Sequence, residues 1–136
     1  SGIMQPLANG LEAPEMRRLA EYYARLAPLP PAPQAADAVS FERGRQLATG
    51  GDAANGIPAC DASHAPNALA DYPRLAGQSA PYMAGQLALW RAGHHASTGA
   101  GAIMAPIAQR LSDSDIAAVT AYFAGERAEP AGAAAR

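Results

Sequence analysis

The start and the end of this chain are related by an internal repeat, which limits what the chain can fold into. Residues 1–26 and 101–126 are identical at seven positions and exchange similar residues at six more, all at a constant offset of 100. We interpret the match as a duplication in which each copy is a loop carrying Met-x-Pro followed by an amphipathic helix. Only the second copy follows about a hundred residues of its own, so residues 1–26 are predicted to be the remnant of an upstream domain. The alternative is chance similarity between two Ala-rich helices.

Between the two copies the chain divides at changes in composition. Residues 27–38 are rich in Pro and Ala, which favours a semi-rigid extended linker. Residues 38–127 are predicted to form one domain, and residues 128–136 a flexible tail. Apolar residues have helical spacing at Val39–Ala48 and Ala80–Ala92, and no run alternates with the period of a strand. The sequence therefore predicts an all-α domain.

The last predicted helix has the clearest start signal. Ser112 and Asp115 have the spacing of a capping box. Apolar spacing after them predicts the buried stripe Ile116, Val119, Thr120 and Phe123. Residues 1–26 keep the same apolar face, and their helix needs a partner because an isolated helix of this length is marginal in water.

Composition excludes several classes of protein. The formal net charge is −2 and the ten Lys and Arg residues are scattered, so no nucleic-acid-binding surface is expected. No apolar run approaches the roughly 20 residues that span a bilayer. Aromatic residues make up 6% of the chain, so the core is expected to be thin and a bulky cofactor would complete it. Cys60 is the only cysteine, which excludes an internal disulfide.

The stretch Cys60-Asp61-Ala62-Ser63-His64 differs from the haem-attachment pattern Cys-x-x-Cys-His by an oxygen in place of a sulfur at Ser63. Two thiols at this spacing meet the two vinyl groups of a haem, and the adjacent histidine is aimed at the iron. Because Ser63 cannot form a thioether, one covalent link is left. The alternatives without a cofactor are purely structural roles: a buried thiol at Cys60, a structural histidine at His64 and a core methionine at Met104. A zinc site lacks the paired-ligand spacing.

Together with four further stretches, this motif resembles the cytochrome c superfamily, and specifically the dihaem cytochrome c4-like proteins, in which two such domains are joined in tandem. The resemblance covers essentially all of residues 38–127, while residues 1–26 resemble the end of the preceding cytochrome c domain. It implies a cytochrome c fold, with a few helices wrapped around a haem. The stretches are Arg43-Gly44-Arg45-Gln46-Leu47, Gly56-Ile57-Pro58-Ala59-Cys60, Tyr72-Pro73-Arg74-Leu75-Ala76-Gly77-Gln78 and Met104-Ala105-Pro106-Ile107-Ala108.

The resemblance implies a role for each residue of a haem site. Cys60 bonds one vinyl group, so that one haem c is held through a single thioether. His64 is the proximal iron ligand and Met104 the distal one. Pro73 offers its backbone carbonyl to the Nδ1–H of His64, and Leu75 lies against the porphyrin.

The resemblance also has implications for the fold and the function. Gly44 on the first helix permits a close crossing with Val119 and Tyr122 on the last. His/Met ligation favours a high reduction potential and leaves no open position for substrate, so an electron carrier is implied rather than an enzyme. A bacterial periplasmic setting is implied, as a soluble or peripheral protein. The redox partners would be an oxidase or a dehydrogenase, including membrane-associated ones.

Two rival functions stay open at this point. The loss of the second cysteine at Ser63 motivates a haem-free or loosely loaded pseudo-cytochrome that acts as a docking or structural domain. Displacement of Met104 would instead give a peroxidase-like or gas-binding haem. Separately, residues 1–26 are expected to associate with a second copy of the chain or with a complementing fragment.

Overall fold

The helices expected from the apolar spacing are present in a computed structural model of the chain, which describes residues 4–27, 37–69, 72–94, 97 and 99–127. Within these ranges there is no β-strand, only an isolated antiparallel bridge between Asp52 and Ile57 and a 3-10 turn over Ala53–Asn55. The predicted all-α fold is confirmed. The α-helices are α1 (Met4–Asn9), α2 (Ala13–Arg25), α3 (Ala38–Thr49), α4 (Asp61–His64), α5 (Ala80–Arg91), α6 (Gly99–Arg110) and α7 (Asp113–Gly125).

The chain divides into two units. One contains α1 and α2, and the other contains α3 to α7. The predicted linker falls largely on residues 28–36 and the predicted tail on residues 128–136, and both of these ranges lie outside the described residues. None of the helices in the described ranges has the length and apolarity that a bilayer crossing requires.

A glycine sets the distance between α3 and α7. A Cβ atom added at Gly44 would lie 2.2 Å from the carbonyl oxygen of Ala118 and 2.9 Å from Cβ of Tyr122. Any side chain at position 44 would therefore push the two helices apart. The expected close crossing with the last helix is confirmed, with Ala118 in place of Val119 as the nearest neighbour of Gly44.

The start and the buried face of α7 also agree with the sequence. Ser112 caps the helix in a capping box with Asp115. The side chains of the predicted stripe are buried, with Ile116 7% exposed, Val119 4% and Phe123 4%. The buried core of this unit is built mainly on α3, α5, α6 and α7. Its members are Leu47, Ala48, Ile57, Met83, Leu87, Ala108, Leu111, Ile116, Val119, Phe123 and Ala124.

The predicted Met-x-Pro loops are wrong, because both methionines lie in helices. Met4 begins α1, and Met104 lies within α6. The second predicted loop contains Pro106, and this proline lies inside α6. A proline leaves the carbonyl four residues earlier without its helical partner. Here Pro106 and Ala102 are both exposed, so water can hydrate that carbonyl and the helix continues.

Helix α2 repeats the apolar spacing of α7 but has no buried residue. Met16 is 47% exposed, Leu19 43% and Tyr23 66%. The positions that correspond to them in α7 are Ile116, Val119 and Phe123, which form the buried stripe. The same kind of face is thus buried in one copy and exposed in the other.

An ion-pair cluster ties α3 to α7 and to the loop that follows α3. Nε of Arg43 lies 2.8 Å from Oδ1 of Asp115, and Nη2 of Arg43 lies 2.8 Å from Oδ2 of Asp52. The Arg43 hydrogen bond, and then that of Asn55, lowers the pKa of Asp52. Burial raises the pKa of Asp115, but hydrogen bonds from Arg43 and Ser112 outweigh it, and the net change is downward.

Replacing Arg43 with glutamine is expected to lower the melting temperature by several degrees at pH 7 and by much less at pH 3. The reason is that the carboxyls of Asp52 and Asp115, whose pKa values are lowered in the folded protein, stabilise the fold when the pH is above their unfolded pKa of about 3.9. That contribution is lost as the pH falls through their lower pKa values in the folded state. Thermal unfolding of both proteins between pH 3 and pH 7 measures the difference.

The matched control is Arg45→Gln, because Arg45 pairs with Glu42 on the exposed side of α3. Exposed pairs of this kind contribute little to stability, so the control should have nearly the same pH profile as the unchanged protein. Equal losses for both variants at pH 7 would contradict the role assigned to the Arg43 cluster.

Candidate haem-binding site

The chain returns from α3 to Cys60 through a tight loop. Gly51 has a φ of +69°, and a Cβ at this position would lie 2.4 Å from the carbonyl oxygen of Ile57. Glycine is required there because other residues rarely adopt this conformation and no space is left for a side chain. The loop brings the backbone N–H of Cys60 to the carbonyl of Leu47, at 3.4 Å. Cys60 is therefore held beside the C-terminal end of α3.

The Cys60 thiol is partly buried and uncharged. Its Sγ lies 3.6 Å from the carbonyl oxygen of Leu47, to which the S–H donates a weak hydrogen bond. Burial, and secondarily the negative charge of Asp61, raises the pKa of the Cys60 thiol to about 11. At neutral pH the side chain is thus a protonated thiol in apolar surroundings and not a thiolate.

His64 is the last residue of the one-turn helix α4, and its imidazole is oriented by a backbone carbonyl. Nδ1 of His64 lies 2.7 Å from the carbonyl oxygen of Pro73. A carbonyl only accepts hydrogen bonds, so Nδ1 carries the proton and Nε2 is the nitrogen with a free lone pair in the neutral ring. Among the described residues Nε2 has no hydrogen-bond partner. This is the arrangement that histidine ligands of metals use.

The segment that contains Pro73 is anchored to α7. The backbone N–H of Gly77 donates to the carbonyl of Phe123 at 2.8 Å, and that of Gln78 donates to the carbonyl of Leu75 at 3.0 Å. Leu75 is half-buried and packs against the core. The carbonyl partner of His64 is therefore fixed relative to the last helix.

The structure places Met104 against the same core as Cys60 and Leu75. All three side chains are partly buried and pack against the cluster of buried residues. Imidazole nitrogen and thioether sulfur are axial ligands of haem iron in cytochromes c, and a thiol is the group that adds to a haem vinyl. The residues present therefore fit this cofactor.

No group of three or more His, Cys, Asp or Glu side chains within the described ranges is arranged to hold a metal ion directly. The ligand pair that the resemblance implies, His64 and Met104, is not a group of this kind.

Sequence reasoning missed three parts of this site. Two of them are contacts of backbone groups, which the residue types do not indicate: the Leu47 carbonyl beside Cys60, and the hydrogen bond from Gly77 to Phe123. The third is Tyr72, whose ring centroid lies 6.1 Å from that of His64 at an interplanar angle of 77°. Its position directly before Pro73 was the only available signal.

Several known proteins are similar to this chain, although no family model matches it. Cytochrome c4 of Azotobacter vinelandii is 42% identical over 95 residues, covering 67% of this chain and 45% of the relative. A thiosulfate dehydrogenase electron acceptor of Thiomonas intermedia is 34% identical over 134 residues, covering 96% of this chain and 61% of the relative. Cytochrome c-554(548) of Halomonas halodenitrificans is 40% identical over 82 residues, covering 56% of this chain and 98% of the relative.

A solved structure is similar as well. Reduced recombinant cytochrome c4 from Pseudomonas stutzeri matches with a TM-score of 0.78 and 32% identity, covering 91% of this chain and 66% of that one. The all-α fold, the glycine crossing and the Cys-x-x-Ser-His site together define a class I cytochrome c domain.

The chain belongs to the cytochrome c family, and its domain is of the cytochrome c4 type. This is a family of electron-transfer haem proteins. The chain spans 45% of the first relative and 61% of the second, so it corresponds to part of their length.

Proposed function

We propose that the domain over residues 38–127 carries one haem c, attached by a single thioether at Cys60 and ligated by His64 and Met104. The observation that carries this proposal is the 2.7 Å hydrogen bond from Nδ1 of His64 to the carbonyl of Pro73, which leaves Nε2 free. When bound, the haem supplies a one-electron redox centre. The chain's own residues orient the imidazole and hold the thioether sulfur at the core edge.

The function that follows is that of an electron carrier and not of an enzyme. With an imidazole and a thioether as axial ligands, no position on the iron is left for a substrate. Thioether ligation and burial both favour the reduced iron, so the reduction potential is expected to be relatively high for a haem protein.

The optical spectrum of the isolated protein tests this proposal. We expect the Soret and α/β bands of a low-spin six-coordinate haem, and we expect the haem to stay on the polypeptide after acid–organic extraction. A colourless protein that unfolds cooperatively and has no haem adduct by mass would support the rival, a pseudo-cytochrome used for docking. A coloured protein that releases all its haem on extraction would refute the thioether at Cys60.

Replacing Met104 with leucine is expected to open the distal position of the iron. Carbon monoxide should then bind the ferrous protein, which it does not do when the thioether occupies that position, and the reduction potential should fall. Carbon monoxide difference spectra and a redox titration measure the two effects. Met83→Leu is the matched control, because Met83 is a buried core residue on α5 and its loss should change neither property.

Replacing Ser63 with cysteine is expected to add the second thioether. Saturation of the second vinyl group should move the α band of the pyridine haemochrome to shorter wavelength. Ser63→Ala should leave the band where it is in the unchanged protein. An unchanged band in the cysteine variant, together with a free thiol by titration, would show that position 63 does not face a vinyl group.

We infer that the redox partner is a dehydrogenase or an oxidase met in the bacterial periplasm, including membrane-associated enzymes. Support comes from the relative named as a thiosulfate dehydrogenase electron acceptor, which aligns with nearly the whole chain. Reduction of the ferric protein by a thiosulfate dehydrogenase with thiosulfate, followed in a stopped-flow spectrometer, tests this partner. Reduction no faster than without the enzyme would exclude it.

For residues 1–26 we propose the role of the last segment of a second cytochrome c domain. The support is the repeat itself, since α2 exposes the kind of face that α7 buries against its domain. Exposed apolar faces of this kind mark interaction surfaces. The partner of this face would then be a helix that resembles α3.

One position argues against α3 of a second copy as that partner. The repeat puts Arg18 where α7 has Ala118, which is buried beside Gly44. Ala118 is 3% exposed, so an arginine in its place would have to be buried in that helix crossing, which is costly for a charged side chain. The sequence left a second copy and a complementing fragment open as partners, and this position favours the fragment. We therefore expect the chain to sediment as a monomer, with or without residues 1–26. A dimer that the deletion abolishes would assign the face to a second copy.

A further inference from the structure

Tyr72 and Pro73 contact the same imidazole in two different ways. The carbonyl of Pro73 accepts the hydrogen bond from Nδ1 of His64, and the ring of Tyr72 stands nearly perpendicular to the His64 ring, with 6.1 Å between centroids. This separation and angle are those of an edge-to-face aromatic pair. We propose that Tyr72 is a positioning residue, which sets the rotational angle of the His64 ring about the bond from Nε2 to iron. The proposal rests on the proposed function, in which His64 is the proximal ligand.

The hydrogen bond restrains that angle but does not fix it to one value. Acceptor directions at a carbonyl are broad, so a range of ring orientations keeps the bond from Nδ1 to Pro73. A perpendicular ring on one side of the imidazole narrows that range. The tyrosine ring therefore supplies the second constraint that a unique ring orientation requires.

The local backbone holds Tyr72 firmly enough for this role. Its N–H donates to the carbonyl of Leu69 at 3.1 Å. The following proline restricts Tyr72 to extended conformations, and the segment is tied to α7 by the bond from Gly77 to Phe123. Within the described residues the hydroxyl of Tyr72 has no hydrogen-bond partner, so the aromatic ring and not the hydroxyl group carries the effect.

The test compares Tyr72→Ala with Tyr72→Phe in the haem-loaded protein. The orientation of an axial imidazole sets the g-value anisotropy of low-spin ferric haem and the spread of the haem methyl proton shifts. Tyr72→Ala is expected to change both the g-value anisotropy and the spread of the methyl shifts. Tyr72→Phe keeps the aromatic ring and should match the unchanged protein. Tyr82→Ala is the control for loss of a tyrosine, because Tyr82 is exposed on α5. Alanine spectra that superpose on those of the unchanged protein would overturn the proposal.

A second measurement separates this proposal from the proposed function. In the haem-free protein, the ring-current shift that Tyr72 imposes on the His64 ring protons should vanish in Tyr72→Ala and persist in Tyr72→Phe. If the unchanged protein binds no haem while this shift behaves as expected, the haem proposal fails and the contact stands. If the His64 ring protons have the same chemical shifts in Tyr72→Ala as in the unchanged protein, Tyr72 does not position the ring.

Discussion

Replacing Cys60 with alanine is expected to leave no haem on the polypeptide after acid–organic extraction. Cys60 is the only cysteine of the chain, and Ser63 offers no second thioether, so no other covalent link is available. The axial ligands alone would hold the haem reversibly, and a large part of it should already be lost during purification. The ratio of haem to protein before and after extraction measures both effects.

Apart from the loss of haem, the substitution itself is a small perturbation of the fold. The change removes one sulfur from a partly buried side chain, which costs about 1 kcal/mol or less where packing is incomplete. Ser63→Ala is the matched control within the same motif and should retain all its haem on extraction. Haem that stays attached to Cys60→Ala would mean that the covalent link lies elsewhere in the chain.

Replacing Gly44 with alanine is expected to lower the free energy of unfolding by more than about 3 kcal/mol, a large share of the roughly 5–15 kcal/mol of a typical domain. The added Cβ would stand 2.2 Å from the Ala118 carbonyl oxygen. That atom belongs to the backbone of α7 and cannot move aside as a flexible side chain would, so the helices must separate. Denaturant unfolding of the variant measures the loss.

The control is Gly85→Ala on α5. A Cβ at Gly85 meets no other atom within 4 Å, and alanine is the better helix former by about 0.5–1 kcal/mol. This variant should be as stable as the unchanged protein or more stable. Both changes improve helix propensity, so a loss of stability that occurs only at position 44 can come only from the crossing of α3 and α7. Equal stability of the two variants would contradict the close approach of α3 and α7.

Much of the helical part of this structure could be predicted because its signals are local. Ser112 and Asp115 are three residues apart and cap α7 as their spacing indicates. The buried stripe of α7 follows from a period of 3.6 residues. The loop predicted at Met104 is instead part of α6. Whether a helix continues through a proline depends on the hydration of the carbonyl four residues earlier, and the sequence does not reveal that hydration.

The candidate site, too, could be predicted from the sequence only where its signals are local. The motif of Cys60 and His64 is contiguous and can be read directly, and the family resemblance supplied Pro73 and Met104. The contacts that hold these residues are long-range. Arg43 reaches Asp115 across 72 positions of sequence, and the bond from Gly77 to Phe123 joins two backbone groups. Pairings of this kind depend on how the helices pack, and that is settled only in the folded chain.

The bond from Gly77 to Phe123 has a consequence for how the molecule opens. The loop that orients His64 cannot leave its place without giving up this bond, and α7 cannot undock from α3 without pulling on the same loop. Loss of the imidazole's carbonyl partner and fraying of the C-terminal helix are therefore one event. The exchange of a single amide proton, that of Gly77, with deuterated solvent is then a direct readout of how tightly the loop that orients His64 and the docking of α7 are linked.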